Sequence, residues 1–305
     1  MKWKAAGLAE VACSLQLVRR RPRPLSLAVV LAGWDTTATV RSLELLRCQP
    51  GMLKGVTWSM VVVVNNDAVL AATTGQGGPE ITVIAGSNDE AEFSAYEEGR
   101  QAIARQAGPG PDVWLIVNDR LPAYAVRQLR SINTDLLYLI SKLEMAPGHI
   151  YPLVRPITVW QHRLSCFMSS YWVLLPAGAL DRLGSLQSVT MQEYARHVPA
   201  DFPGYWLLSE WLGPELGDYI RAYLTEPGLW SRSEPLNAIS WPRLRSKALS
   251  IINEKLLSAC LAGAIMAARA ELAATRDRLL TSATRSGDIA LNEWRSRKIA
   301  SLERF

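Results

Sequence analysis

VVVVNND at residues 61–67, ITVIAGSNDEAEF at 81–93 and VWLIVNDRL at 113–121 decide how this chain folds. In each, an apolar run rich in β-branched residues stops abruptly at Asn, Asp, Gly or Ser. A strand buried on both faces reads as such an unbroken run, and a parallel sheet delivers its polar residues at the carboxyl ends of its strands. That edge is where open α/β sheets bind their ligands.

Working outward, LSLAVVLAG from Leu25 gives a first buried strand, and Val40, Leu43 and Leu46 recur at helical spacing within 34–47. The second strand reads as Trp58–Val64, the third as Ile81–Ala85 and the fourth as Val113–Val117. GQGG at 75–78 is a turn, because it lacks the lysine of a P-loop and precedes a strand. Residues 90–107 read as a helix with Phe93, Tyr96, Ile103 and Ala107 roughly on one face. Four strands alternating with helices imply right-handed crossovers and a mostly parallel, Rossmann-like sheet flanked by helices. Beyond it, 121–147 reads as helical, Ile157–Trp160 and Tyr171–Leu175 as further strands, and Ala177–Leu183 as a helix closing at Gly184. From Pro242 to about Thr284 the composition predicts a helical extension that packs on the domain or on a partner chain, making a homo-oligomer one expectation.

A chain of 305 residues that is 49% hydrophobic has room for one large α/β domain plus a helical appendage. Its net charge of +5 is a modest excess that suits anionic ligands. No RNP, zinc-finger or helix-turn-helix spacing is visible, so nucleic acid is not an expected partner. Cys13, Cys48, Cys166 and Cys260 have no metal-ligand spacing, which disfavours structural zinc and a disulfide framework. The apolar stretches at 5–18 and 258–270 are too short or interrupted to span a bilayer. The expectation is a cytoplasmic protein, with RRRPRP at 19–24 read either as a solvated linker or as a peripheral contact with the inner face of the membrane. His149, His162 and His197 have no GxSxG elbow to serve, and no GxGxxG follows the first strand. Triad hydrolysis and dinucleotide redox chemistry therefore drop out.

The order strand, NND, strand, GSN, helix with EFSAYEEG, strand, NDR resembles the nucleotide-sugar half of family 2-like glycosyltransferases with the GT-A fold. GSNDEAEFSAYEEG, VNDRL and LSCFMSSYWVLLPAGAL (164–180) are similar to a branch of bacterial surface-polysaccharide, rhamnan-type synthesis proteins. The resemblance covers about residues 25–215. It implies an N-terminal lead-in at 1–24, a GT-A-like domain at 25–241 and a C-terminal helical extension at 242–305. Within the domain, 25–120 would be the nucleotide-sugar half and 121–241 the acceptor half.

By this resemblance, Gly33, Trp34, Asn66 and Asp67 would border the base and ribose of a nucleotide sugar, with Asn88 and Asn118 completing the donor side. Asn65, Asn66 and Asp67 also fit a plain strand end and turn. Phe93 and Tyr96 read as core, and Glu98 and Gly99 either approach the donor or sit on a solvated helix. Ordinary members carry two carboxylates where this chain has Asn118, Asp119 and Arg120, and use them to hold Mg²⁺ or Mn²⁺ against the diphosphate. Three alternatives stay open: Asp119 holds a metal alone, Arg120 supplies the positive charge through its bidentate fork, or catalysis is lost. Glu210, in YWLLSEWLG among Tyr205, Trp206 and Trp211, is the candidate base, an exposed helical face being its plain reading; Asp181 is weaker. The implied function is transfer of a sugar from a nucleoside-diphosphate donor to a polysaccharide or lipid-linked glycan acceptor. The alternative is a non-catalytic GT-A-like scaffold binding a nucleotide, a glycan or a protein partner.

Overall fold

The computed structural model describes residues 24–48, 53, 55–106, 108–199, 205–225, 241–261 and 265–267. The lead-in up to residue 23, the stretch 226–240 and everything after 267 lie outside the described residues. In chain order the elements are β1 (Leu25–Gly33), α1 (Thr36–Cys48), β2 (Val56–Val64), α2 (Asp67–Thr73), β3 (Ile81–Ala85), α3 (Glu92–Ala104) and β4 (Val113–Asn118). Then come α4 (Leu121–Tyr124), α5 (Val126–Ser131), α6 (Thr134–Leu143), β5 (Ala146–Val159), β6 (His162–Pro176) and α7 (Ala177–Leu183). α8 (Met191–His197), α9 (Tyr205–Leu212), α10 (Pro214–Thr225), α11 (Trp241–Cys260) and β7 (Ile265–Ala267) complete the chain.

The strands form one seven-stranded sheet in the order β3-β2-β1-β4-β6-β5-β7. β1 to β4 are mutually parallel, β6 runs antiparallel to both β4 and β5, and β7 is parallel to β5. This is the mixed α/β, mostly parallel and helix-flanked fold expected from the strand-end pattern. The chain steps outward from β1 to β2 and β3, then returns to β4 on the other side of β1. Between β1 and β4 the crossovers diverge, which makes the carboxyl ends of those strands the switch point where open sheets of this kind form a crevice.

Two apolar layers cover the sheet. Leu27, Val29, Leu31, Val62, Leu115 and Trp172 pack on one face with residues of α1, α2 and α4 to α6. Ala28, Val30, Val63, Phe93, Tyr96 and Ile116 pack on the other with α3, α7 and the end of α11. α3 lies unusually close to the sheet, since a Cβ on Gly99 would stand 2.4 Å from Val30 Cγ1. Gly99 is therefore a packing residue under the helix and does not reach toward the crevice edge. A third cluster joins α8 to α11 to the outer half of the β5–β6 ribbon. Here a Cβ on Gly217 would meet the Ser209 backbone at 2.4 Å, so α9 and α10 touch main chain to main chain.

The departures from expectation have local causes. The 121–147 stretch breaks into three helices: Asn133 caps α6 by accepting from Leu136 N–H at 2.9 Å, and Glu144 ends it in a left-handed conformation, φ 50°. β5 and β6 are far longer than the apolar runs that announce them. Pro152 and Pro156 interrupt the β pattern of β5, but among the described residues its outer side is paired only at 146–148, and prolines are tolerated on such an edge. The predicted helix beyond residue 242 ends at Cys260, and 265–267 form β7 instead.

Candidate functional site

Asp119 binds the two sides of the switch point together. It follows β4, is 5% exposed, and its Oδ2 accepts the backbone N–H groups of Trp34 at 2.9 Å and Asp35 at 2.8 Å, just past β1. Asp35 in turn caps α1, its Oδ1 accepting from Ala38 N–H at 2.8 Å. A Cβ on Gly33 would stand 2.6 Å from Thr39, so glycine is what lets the first turn of α1 fold back over the end of β1. Burial raises the Asp119 carboxyl above its ordinary value, with the Asp35 charge adding to it, against the two backbone N–H bonds and the Arg120 charge.

The rim of the crevice is a hydrogen-bonded chain. Asn66 donates its side-chain N–H to the Trp34 carbonyl at 2.6 Å while its Oδ1 accepts from Val69 N–H at 2.9 Å, capping α2. The Trp34 indole N–H reaches across to Asn88 Oδ1 at 3.1 Å. Asn88 and Ala91 both have positive φ, 60° and 51°, so the loop from β3 to α3 is held in a conformation that non-glycine residues rarely adopt. Glu98 supports that loop from below, accepting from Ser87 N–H at 3.1 Å. Asn118 turns its Oδ1 to Arg120 N–H at 3.0 Å, and Asp67 begins α2 as an exposed residue. Thus Gly33, Trp34, Asn66, Asn88, Asn118, Asp119 and Arg120 all lie along one edge of the sheet. Arg120 is exposed beside Asp119 and makes no ion pair among the described residues.

The sequence did not single out the group that meets this edge from the other half of the chain. Where β5 steps from Gly148 to His149, its β6 partner jumps from Val173 to Ser169, leaving Ser170, Tyr171 and Trp172 as a bulge. Bulges of this kind re-aim side chains beside functional sites. Ser170 donates its hydroxyl to Glu92 Oε1 at 3.0 Å and its N–H to Glu254 Oε1 at 2.9 Å. Ser250, on α11 like Glu254, gives a second hydroxyl to Glu92 Oε1 at 2.7 Å. Tyr96 donates its phenol O–H to the Ser170 carbonyl at 2.7 Å. Burial, then the charges of Glu92, Asp119 and Glu254, push that phenol well up. Glu92 stands at the first position of α3, and Glu254 lies beyond the span of the family resemblance; neither had a sequence signal of its own.

Glu210 lies on the exposed side of α9, and no described contact links it to the crevice. Asp181 is exposed on α7, near the amino ends of the strands, where a separate groove of about 720 Å³ is lined by Ser26, Trp58, Arg100, Asp112 and Trp114. Phe93 and Tyr96 are core, as read.

Among the described residues no ready-made metal site is assembled. Two backbone N–H groups already occupy Asp119 Oδ2, and no group of three or more His, Cys, Asp or Glu side chains among the described residues is arranged to hold an ion. No helix of the described residues is long and apolar enough to cross a membrane.

No protein-family model matches the chain, and no curated protein matches it. Among solved structures, the mannosyltransferase PcManGT from Pyrobaculum calidifontis, in complex with GDP-Man and Mn2+, is similar at 13% identity and a TM-score of 0.37, over 90% of this chain and 90% of that one. A likeness of this strength assigns nothing to individual residues.

Proposed function

We propose that the chain is a glycosyltransferase that takes its nucleoside-diphosphate sugar in the β1/β4 crevice and passes the sugar to a glycan hydroxyl. The observation that carries this reading is the Asp119 bridge, which fixes a polar crevice at the switch point of a 3-2-1-4 sheet while Glu92 approaches from the side where an acceptor would stand. Trp34, Asn66 and Asn88 form the nucleoside rim. Arg120 offers a guanidinium fork to the diphosphate, doing the work that a metal does elsewhere.

Glu92 is the better base. Its Oε1 is pinned by the Ser170 and Ser250 hydroxyls, and its Oε2 accepts no hydrogen bond among the described residues. Both oxygens of Glu254 are engaged, by Ser170 N–H and by Lys255 Nζ at 2.9 Å, so Glu254 holds the bulge. In the step itself the acceptor oxygen bonds the anomeric carbon and its proton passes to Glu92. The bond from that carbon to the β-phosphate oxygen breaks, and its electron pair leaves on the nucleoside diphosphate. Glu210 remains the alternative base only if α9 meets the acceptor from outside the crevice.

A second reading has its own support: Asp119 is spent on backbone hydrogen bonds, as befits a scaffold that binds without turning over. The test is a panel of UDP, GDP, dTDP and CMP sugars, read first as thermal stabilisation and then as nucleoside-diphosphate release. A ligand at about a hundred times its Kd adds close to 3 kcal/mol, enough to see. Stabilisation that fades in Trp34→Ala, with release abolished in Glu92→Gln, supports the enzyme. Stabilisation without release at any acceptor supports the scaffold, and no response to any donor removes the crevice reading altogether.

A further inference from the structure

We propose that the acceptor is a neutral glycan, one ring of which stacks on Tyr124 while the chain continues over the tyrosines around Glu254; this rests on the transferase reading above. The β6 bulge builds the surface. It turns the Tyr171 ring nearly parallel to Tyr124, with centroids 5.0 Å apart and planes at 14°. Tyr151 meets Tyr171 edge-on at 6.5 Å and 83°. Tyr124 is 48% exposed, and its N–H bonds the Arg120 carbonyl at 3.2 Å, so the open ring stands one helical turn from the guanidinium assigned to the diphosphate. α10 adds Tyr219 and Tyr223, and α11 adds Glu254. Burial first, then the Glu254 charge, push the Tyr171 and Tyr219 phenols upward, so both stay O–H donors at neutral pH.

The chemistry of this wall selects its ligand. Glu92 and Glu254 repel an anion. A cation finds its place filled, because the Lys255 ammonium lies 3.1 Å from the Phe167 ring centroid and bonds Glu254 Oε2 at 2.9 Å. An acyl chain would leave phenols and carboxylates desolvated without partners. A sugar ring satisfies both halves of the surface, laying its C–H face on an aromatic ring and giving its hydroxyls to the phenols and carboxylates.

The test is calorimetric titration of the full chain with cellohexaose, chitohexaose, maltohexaose and a rhamnose hexasaccharide, with the nucleotide-sugar panel run on the same samples. At least one hexasaccharide is expected to bind the wild type, with a Kd raised about tenfold in Tyr124→Ala. Val154→Ser, at a position 99% exposed, should leave that Kd unchanged. If no hexasaccharide binds, or if wild type and Tyr124→Ala bind alike, the proposal is overturned even where a nucleotide sugar stabilises both. Tyr124-dependent hexasaccharide binding without any nucleotide response would sink the donor reading and leave the glycan surface standing.

Discussion

The indole N–H of Trp34 donates to Asn88 Oδ1 at 3.1 Å, tying the loop after β1 to the loop after β3 across the mouth of the crevice. Both partners are partly or fully exposed, so this bond is easily exchanged for one to a ligand. Trp34→Phe keeps a ring and removes the donor. Nucleotide affinity is expected to fall by roughly one hydrogen bond, about 1 kcal/mol or a factor of about five. Stability without ligand should hardly change, which a paired melting experiment checks.

Asp119 separates architecture from charge. Asp119→Ala strands the Trp34 and Asp35 N–H groups in a buried corner and is expected to cost about 1–3 kcal/mol of stability. Asp119→Asn retains an acceptor oxygen for both and should lose markedly less. Equal losses in urea unfolding would mean that the negative charge, not the bridge, matters at this position.

Two buried carboxylates should respond to pH with opposite sign. Burial raises the Asp119 carboxyl, so its favourable contribution is complete below the ordinary aspartate value of 3.8 and is lost as pH rises through the raised native value. For Glu97 burial again raises, but bonds from Arg100, Leu186 N–H and Gln101 together outweigh it and hold the carboxyl below 4.5. Its contribution is present above 4.5 and lost as pH falls through that lowered value. Urea midpoints of Asp119→Asn and Glu97→Gln, compared with wild type from about pH 3 to about pH 7, should therefore diverge from wild type in opposite directions.

Glu92→Gln preserves the shape that receives the Ser170 and Ser250 hydroxyls and removes the base. Turnover is expected to fall by about 10²–10⁴ with donor affinity kept. A fall in affinity of the same size would make Glu92 a donor ligand instead. EDTA is expected to leave turnover unaltered if Arg120 takes the charge role proposed for it.

Gly99→Ala should destabilise by about 1–3 kcal/mol through overpacking, as the added methyl meets Val30 and Val63 between α3 and the sheet. Thermal unfolding measures this directly, and a neutral result would mean that α3 can lift away from β1.

The parallel half of the sheet was legible because β1, β4 and the second half of β2 are buried on both faces, and such strands write themselves as apolar runs with polar stops. β1 begins and ends where LSLAVVLAG does, and β3 spans the predicted residues. α2 went unread, being only seven residues long between a polar strand end and a glycine turn. The β5–β6 hairpin hid behind its prolines, and no local pattern encodes the bulge that its unequal pairing creates. The polar edge from Gly33 and Trp34 to Asp119 was legible as a row of strand ends; what it binds is a proposal. The carboxylates that face the rim were not. Glu92 shares one helix with Glu97 and Glu98, and only the fold distinguishes the one that meets Ser170. Glu254 gains its place from a partner 84 residues earlier in the chain.

That distance has a consequence for biosynthesis. Every rim residue lies within the first 120 of the chain, but the wall that faces them is closed by α11: Ser250 reaches Glu92 over 158 residues, and Ser258 receives Met168 N–H over 90. A nascent chain that has yet to deliver α11 thus lacks the helix that fixes the bulge of β6. The wall that faces the rim closes only once residues 241–260 have been made.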